Sequence, residues 1–137
     1  MEKKKVIVWF DDDAVTFRQL MQEVEKAGYE VKKVSQLRKS FAIAKNPNFF
    51  NDCVLIIMEP LHFLGMDDVP TPKSMIYYIR HYAKCNAPVI FFTVSSEDNK
   101  KMLEEYKEYG VVKILSKMNT FPSDIKPAIE EVLNKSK

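Results

Sequence analysis

Five short apolar runs, separated by segments whose apolar residues recur every three or four positions, set the rhythm of this chain. "KKVIVWF" is compact, rich in β-branched residues and predicts a buried strand. Residues 14–27 then place Phe17, Leu20, Met21, Val24 and Ala27 at helical spacing, and Gly28 supplies a stop. "YEVKKV" interleaves polar residues and suits a strand near a sheet edge. Leu37, Phe41 and Ala44 mark a shorter helix, ended by the "NPN" at Asn46 to Asn48. "CVLII" is the most apolar strand and should be central.

The alternation continues to the end. Met75, Ile76, Ile79, Tyr82 and Ala83 line one face of a helix, and "PVIFFTV" opens a strand at Pro88. Met102, Leu103 and Tyr106 form the inner face of the next helix, which Gly110 closes before the strand "VVKIL". In "FPSDIKPAIEEVL", Ile125, Ala128, Ile129, Val132 and Leu133 point inward, with Pro127 expected within about the first turn, where a missing donor is cheapest. Five strands alternating with five helices predict one doubly wound (βα)5 domain over residues 1–137, a parallel sheet with right-handed crossovers. Glu59 to Lys73, with three of the seven prolines, is expected as an irregular loop over the carboxyl edge of the sheet.

Composition narrows the function classes. A net charge of +2 does not imply nucleic acid as a direct partner, and no apolar stretch reaches the roughly 18 residues of a membrane span. Cys53 and Cys85 lack metal-ligand spacing, and Cys53 is expected as a buried thiol in a reducing compartment. "MEKKK" followed by an apolar run ending in three acids fails as an export signal, so the cytoplasm is the expected location. His62 and His81 have no ligand partner at metal spacing; His62 is expected to face solvent, and His81 falls on a polar helix face with Tyr77, Tyr78 and Lys84.

Ligands of such sheets bind beyond the carboxyl ends of the strands. Asp11, Asp12 and Asp13 end the first strand there, Met58 and Glu59 the third, Thr93 to Ser95 the fourth, and Lys117 follows the fifth. Stacked carboxylates suit a hard cation such as magnesium, which takes about six oxygen ligands. The plainer alternative is that Asp13 caps the following helix and its neighbours are solvated. The first loop lacks glycine and is acidic, which argues against a pyrophosphate cofactor.

On these motifs, from about Lys4 to Leu133, the chain resembles the receiver domain of two-component response regulators. The resemblance implies a flavodoxin-like sheet of strand order 2-1-3-4-5 and a metal-binding acidic pair at Asp11 and Asp12. It implies a switch hydroxyl at Thr93 and a phosphoryl-holding lysine at Lys117. It also implies partner contacts or dimers through the face built by helix four, strand five and helix five, where Tyr106, Tyr109 and Lys113 are candidates.

The chain departs from that pattern at the reactive centre. No aspartate ends "DCVLIIMEP"; aligned on Pro60, the expected acceptor slot falls at Ile56 or Ile57, whose alkyl chains cannot attack phosphorus. Glu59 is the nearest carboxylate and stands as a candidate acceptor, metal ligand, mimic of a charged state or solvated loop residue. Ile114 takes the place of the aromatic switch residue, and Met118 follows Lys117 where proline is usual. The expectation is a divergent, non-enzymatic signalling module that binds protein without phosphorylation. A working receiver using Glu59 with magnesium is the alternative, and an unrelated enzyme on the same fold is a third class that lacks a nucleophile–base pair.

Overall fold

The structure is a computed structural model that describes residues 4–11, 17–60, 71–94 and 99–135. Its strands are β1 (Val6–Phe10), β2 (Glu30–Val34), β3 (Cys53–Met58), β4 (Val89–Thr93) and β5 (Val111–Ser116). Its helices are α1 (Arg18–Lys26), α2 (Leu37–Ala44), α3 (Pro72–His81), α4 (Asn99–Tyr106) and α5 (Pro122–Lys135). Short 3-10 turns follow α2 at Pro47–Phe50 and α4 at Lys107–Tyr109. The sheet is parallel throughout, in the order β2-β1-β3-β4-β5.

The alternation of side chains along each strand divides the core in two. Val6, Val8, Phe10, Ile56, Met58, Val89 and Phe91 pack beneath α2 and α3 with Ala44, Met75, Ile76 and Ile79. Ile7, Trp9, Leu55, Ile57, Ile90 and Phe92 turn to the other face, against Leu20, Met21, Val24, Ile125, Ile129 and Val132 of α1 and α5. Burying each such large side chain contributes about 1.5–3 kcal/mol, which is why the three inner strands carry almost no polar residue. β2, at the edge, keeps Glu30 and Lys33 in solvent.

Helix ends follow local chemistry. The Thr71 Oγ1 accepts the Ser74 amide at 3.2 Å while Pro72 fills the first helical position of α3. Gly28 and Gly110 adopt φ of +104° and +90° just before β2 and β5 resume. Asp124 Oδ2 reaches back to accept the Phe121 amide at 2.9 Å at the start of α5.

Several details differ from the sequence expectation. Tyr82 is 47% exposed, just past the end of α3 at His81. Phe41 is 37% exposed and meets Tyr78 instead of the core. Pro127 lies beyond the first turn of α5, at the sixth position of a helix that begins at Pro122. Cys53, at the start of β3, is only half-buried, whereas Cys85 is buried; both are free thiols. Pro72 and Lys73 belong to α3, and residues 61–70 of the expected loop, with His62, lie outside the described residues.

Candidate functional site

The parallel ladder brings the carboxyl ends of β1, β3, β4 and β5 to one rim. β1 and β3 run level, with Phe10 opposite Met58, and the Glu59 amide continues the ladder by donating to the Phe10 carbonyl at 2.9 Å. Asp11 is held from the other side, its amide donating to the Val34 carbonyl at 3.0 Å. Likewise the Lys117 amide donates to the Thr93 carbonyl at 2.9 Å, one residue past β5. Backbone hydrogen bonds therefore fix the Cα positions of Asp11, Glu59 and Lys117 before their side chains are considered.

Those side chains converge. Lys117 Nζ lies 2.9 Å from Glu59 Oε2 and 3.0 and 3.2 Å from the two Asp11 carboxylate oxygens. The lysine side chain is 3% exposed, that of Asp11 1% and that of Glu59 5%. Rings of Phe17 and Phe92 flank the ammonium at 4.9 and 5.6 Å to their centroids, and pack edge to face on each other at 4.9 Å. Burial alone pushes the Lys117 pKa down, but hydrogen bonds to Glu59 and Asp11, with their charges, outweigh it and hold the lysine above its ordinary 10.5. The result is a dry cation shared by two carboxylates.

Ile56 and Ile57, the acceptor slots of the sequence alignment, pair with Val8 and Trp9 inside the sheet and are fully buried. The residue level with Asp11 is Glu59. A signal for this placement is present in the sequence: an apolar run leads straight into an acid at both Phe10–Asp11 and Met58–Glu59. Aligning on Pro60 obscures it. The sequence places Phe17 only among the residues at helical spacing and Phe92 only within a strand, because an aromatic residue at core spacing carries no sign of a cation above it.

Thr93 ends β4 fully buried, and its Oγ1 finds no hydrogen-bond partner among the described residues. Ile114 sits in register with Phe91, half-buried beside Met102, Leu103 and Tyr106. Tyr106 turns inward to meet Phe91 edge to face at 5.0 Å, and Lys73, paired to Glu105 at 2.9 Å, covers it and Tyr109. Lys113 reaches Glu131 on α5 at 3.2 Å. His81 stacks on Tyr77 at 5.1 Å. Asp12 and Asp13 lie outside the described residues.

Among the described residues no three His, Cys, Asp or Glu side chains gather as metal ligands. The two carboxylates that do converge, Asp11 and Glu59, are hard oxygen donors of the type magnesium takes. They are the groups of this rim that would hold such an ion, whose part would be to neutralise negative charge beside them. A cation there competes with Lys117 for the same oxygens.

Comparison with solved structures decides the architecture. A receiver-domain protein from Methanospirillum hungatei JF-1, described as CheY-like, superimposes with a TM-score of 0.70 over 97% of this chain and 96% of its own, at 18% identity. The fold is that of a response-regulator receiver domain. The chemotaxis response regulator CheY4 of Vibrio cholerae gives a TM-score of 0.69 at 21% identity, covering 95% of this chain and 99% of that one. A two-component response regulator from Clostridium difficile gives 0.71 at 16% identity, covering 98% and 99%. No family model and no curated protein matches the chain. At these identities the likeness is one of fold, so function has to be argued from the rim itself. No helix of the described residues is long and apolar enough to cross a membrane.

Proposed function

We propose that this receiver-fold protein is a non-enzymatic signalling module that works by binding protein and does not depend on phosphorylation. The contact of Lys117 with both Glu59 and Asp11 carries this reading. The one cation of the described rim, which by the receiver resemblance would hold a phosphoryl group, is already shared between two carboxylates in a site closed to water. Glu59 supplies a negative charge at the end of β3 without any transfer step, so the site stands in a charged, paired state from the moment it folds. Ile114 adds no ring to swing in response to Thr93, in keeping with a site held in one state.

Partner binding or self-association would use the face of α4, β5 and α5. Val112 of β5 is 49% exposed there, an apolar presence that a partner would cover.

The same contact supports a second reading, because a carboxylate level with Asp11 and against Lys117 is also where a phosphoryl group would arrive. Incubation with acetyl phosphate and magnesium, followed by intact mass measurement, separates the two. The leading reading expects no phosphoryl adduct. A stoichiometric, hydroxylamine-sensitive adduct that disappears in Glu59→Gln would replace it with a working receiver that uses Glu59.

A further inference from the structure

The side of the molecule built by α2 and α3 brings exposed aromatic rings and basic groups together. Phe41, Tyr77 and Tyr82 are each more than a third exposed. Their rings join through Tyr78, whose centroid lies 5.2 Å from Phe41, 6.0 Å from Tyr77 and 5.8 Å from Tyr82. His81 extends the cluster by stacking on Tyr77 at an interplanar angle of 12°. The Lys45 ammonium stands over Phe41, Tyr78 and Tyr82 at 4.0, 4.8 and 5.7 Å.

Charge on these two helices has one sign. Residues 36–51 and 71–88 hold six lysines and arginines and no acid, which leaves fifteen basic against nineteen acidic residues elsewhere in the chain. Among the described residues, Glu105 and Glu108 sit on the flank toward α4, and Glu105 is taken by Lys73. Between α3 and the turn after α4 the surface dips into a hollow of about 330 Å³ lined by Lys73, Ser74, Tyr77, Tyr78 and Tyr109.

Exposed, contiguous aromatic surface is unusual on a free monomer and is the composition of interface cores. A one-signed basic surround selects a partner of opposite charge and repels basic ones. Nucleic acid would need open ring faces for bases to stack on. Here Lys45 covers Phe41, Tyr78 and Tyr82, and His81 covers Tyr77, so the stacking faces are in use while the ammonium groups remain available to carboxylates.

We infer that the α2–α3 face is a docking surface for an acidic segment of a partner protein. Carboxylates of that segment pair with Lys45 and with the exposed Lys39 and Lys84, and an apolar side chain enters the hollow beside Tyr77. This surface is separate from the rim that holds Lys117, and the inference does not depend on whether Glu59 can take a phosphoryl group.

The full chain is titrated with three fluorescent probes: a peptide of alternating Glu and Leu, its counterpart with Lys for Glu, and an oligouridylate. Amide chemical shifts are recorded alongside. The acidic peptide should bind about ten-fold more tightly than either other probe, more weakly as salt rises, with shifts confined to α2, α3 and the turn at Lys107–Tyr109 that lines the hollow. Lys45→Glu and Tyr82→Ser, both at exposed positions, should each weaken it about ten-fold while the far-UV spectrum stays unchanged. Failure of the acidic peptide to bind, equal binding of the two peptides, tighter binding of the oligouridylate or shifts confined to β5 and α5 would each overturn the inference.

Discussion

Lys117 Nζ lies 2.9 Å from Glu59 Oε2, and the same nitrogen also holds Asp11, so one lysine serves two buried carboxylates. The three groups are not equivalent. Lys117→Met takes the cation from both acids at once and should cost about 3–5 kcal/mol, the range for breaking a buried pair. Glu59→Gln leaves the Lys117–Asp11 pair and a neutral acceptor in place, and should cost about 1.5 kcal/mol. Urea denaturation of the three proteins checks the order. Equal losses, or a larger loss for Glu59→Gln, would mean that the lysine is not the hub.

The raised pKa of Lys117 gives the triad a signature in alkali. A lysine whose folded pKa lies above its unfolded value contributes stability that is complete below the unfolded value, and that contribution is lost as pH rises through the folded one. The stability difference between the wild type and Lys117→Met should therefore be flat between about pH 8 and 10 and shrink only above about 10.5. Subtracting the variant removes the tyrosines and surface lysines that titrate in the same range. A difference that already shrinks below about pH 9 would show that the carboxylates do not hold the ammonium.

The fold was legible in the sequence to the level of a doubly wound parallel sheet, because two-residue and 3.6-residue periodicities alternate and an all-parallel sheet writes its inner strands as unbroken apolar runs; the strand order came from the resemblance to receiver domains. Asp11 and Lys117 were legible for the same reason: each follows a strand whose end the pattern marks. The level of Glu59 was not. Periodicity locates a strand but does not set how far it slides along its neighbour, and the hydrogen bond from the Glu59 amide to Phe10 is what fixes it. The exposure of Tyr82, which the spacing puts on one face with buried residues, escaped the sequence for a different reason. On short helices, helical spacing alone does not separate a residue over the sheet from one beside it.

Pro127 shows where the chain gives up stability. It sits at the sixth position of α5 with an exposed side chain, where an ordinary residue would donate its amide to the Ser123 carbonyl. Pro127→Ala restores that donor and removes the ring without uncovering core. It should raise stability by about 1–3 kcal/mol, read as a higher thermal midpoint. A lower midpoint would mean that the start of α5 is shaped around the ring.

Thr93 offers the sharpest test of a silent rim. Its hydroxyl is buried without a hydrogen-bond partner among the described residues, so it bears a desolvation cost with no return. Valine has nearly the same shape and no hydroxyl. If the rim keeps one state, Thr93→Val should leave stability unchanged or raise it by up to about 1 kcal/mol, and should leave partner binding as it was. If the hydroxyl serves a phosphoryl group that arrives at the rim, the same variant should instead lose the response to acetyl phosphate while folding normally. Denaturation and binding measured on one preparation distinguish these outcomes. A loss of more than about 1 kcal/mol would show that the hydroxyl has a structural partner, and would remove Thr93 from any account of signalling.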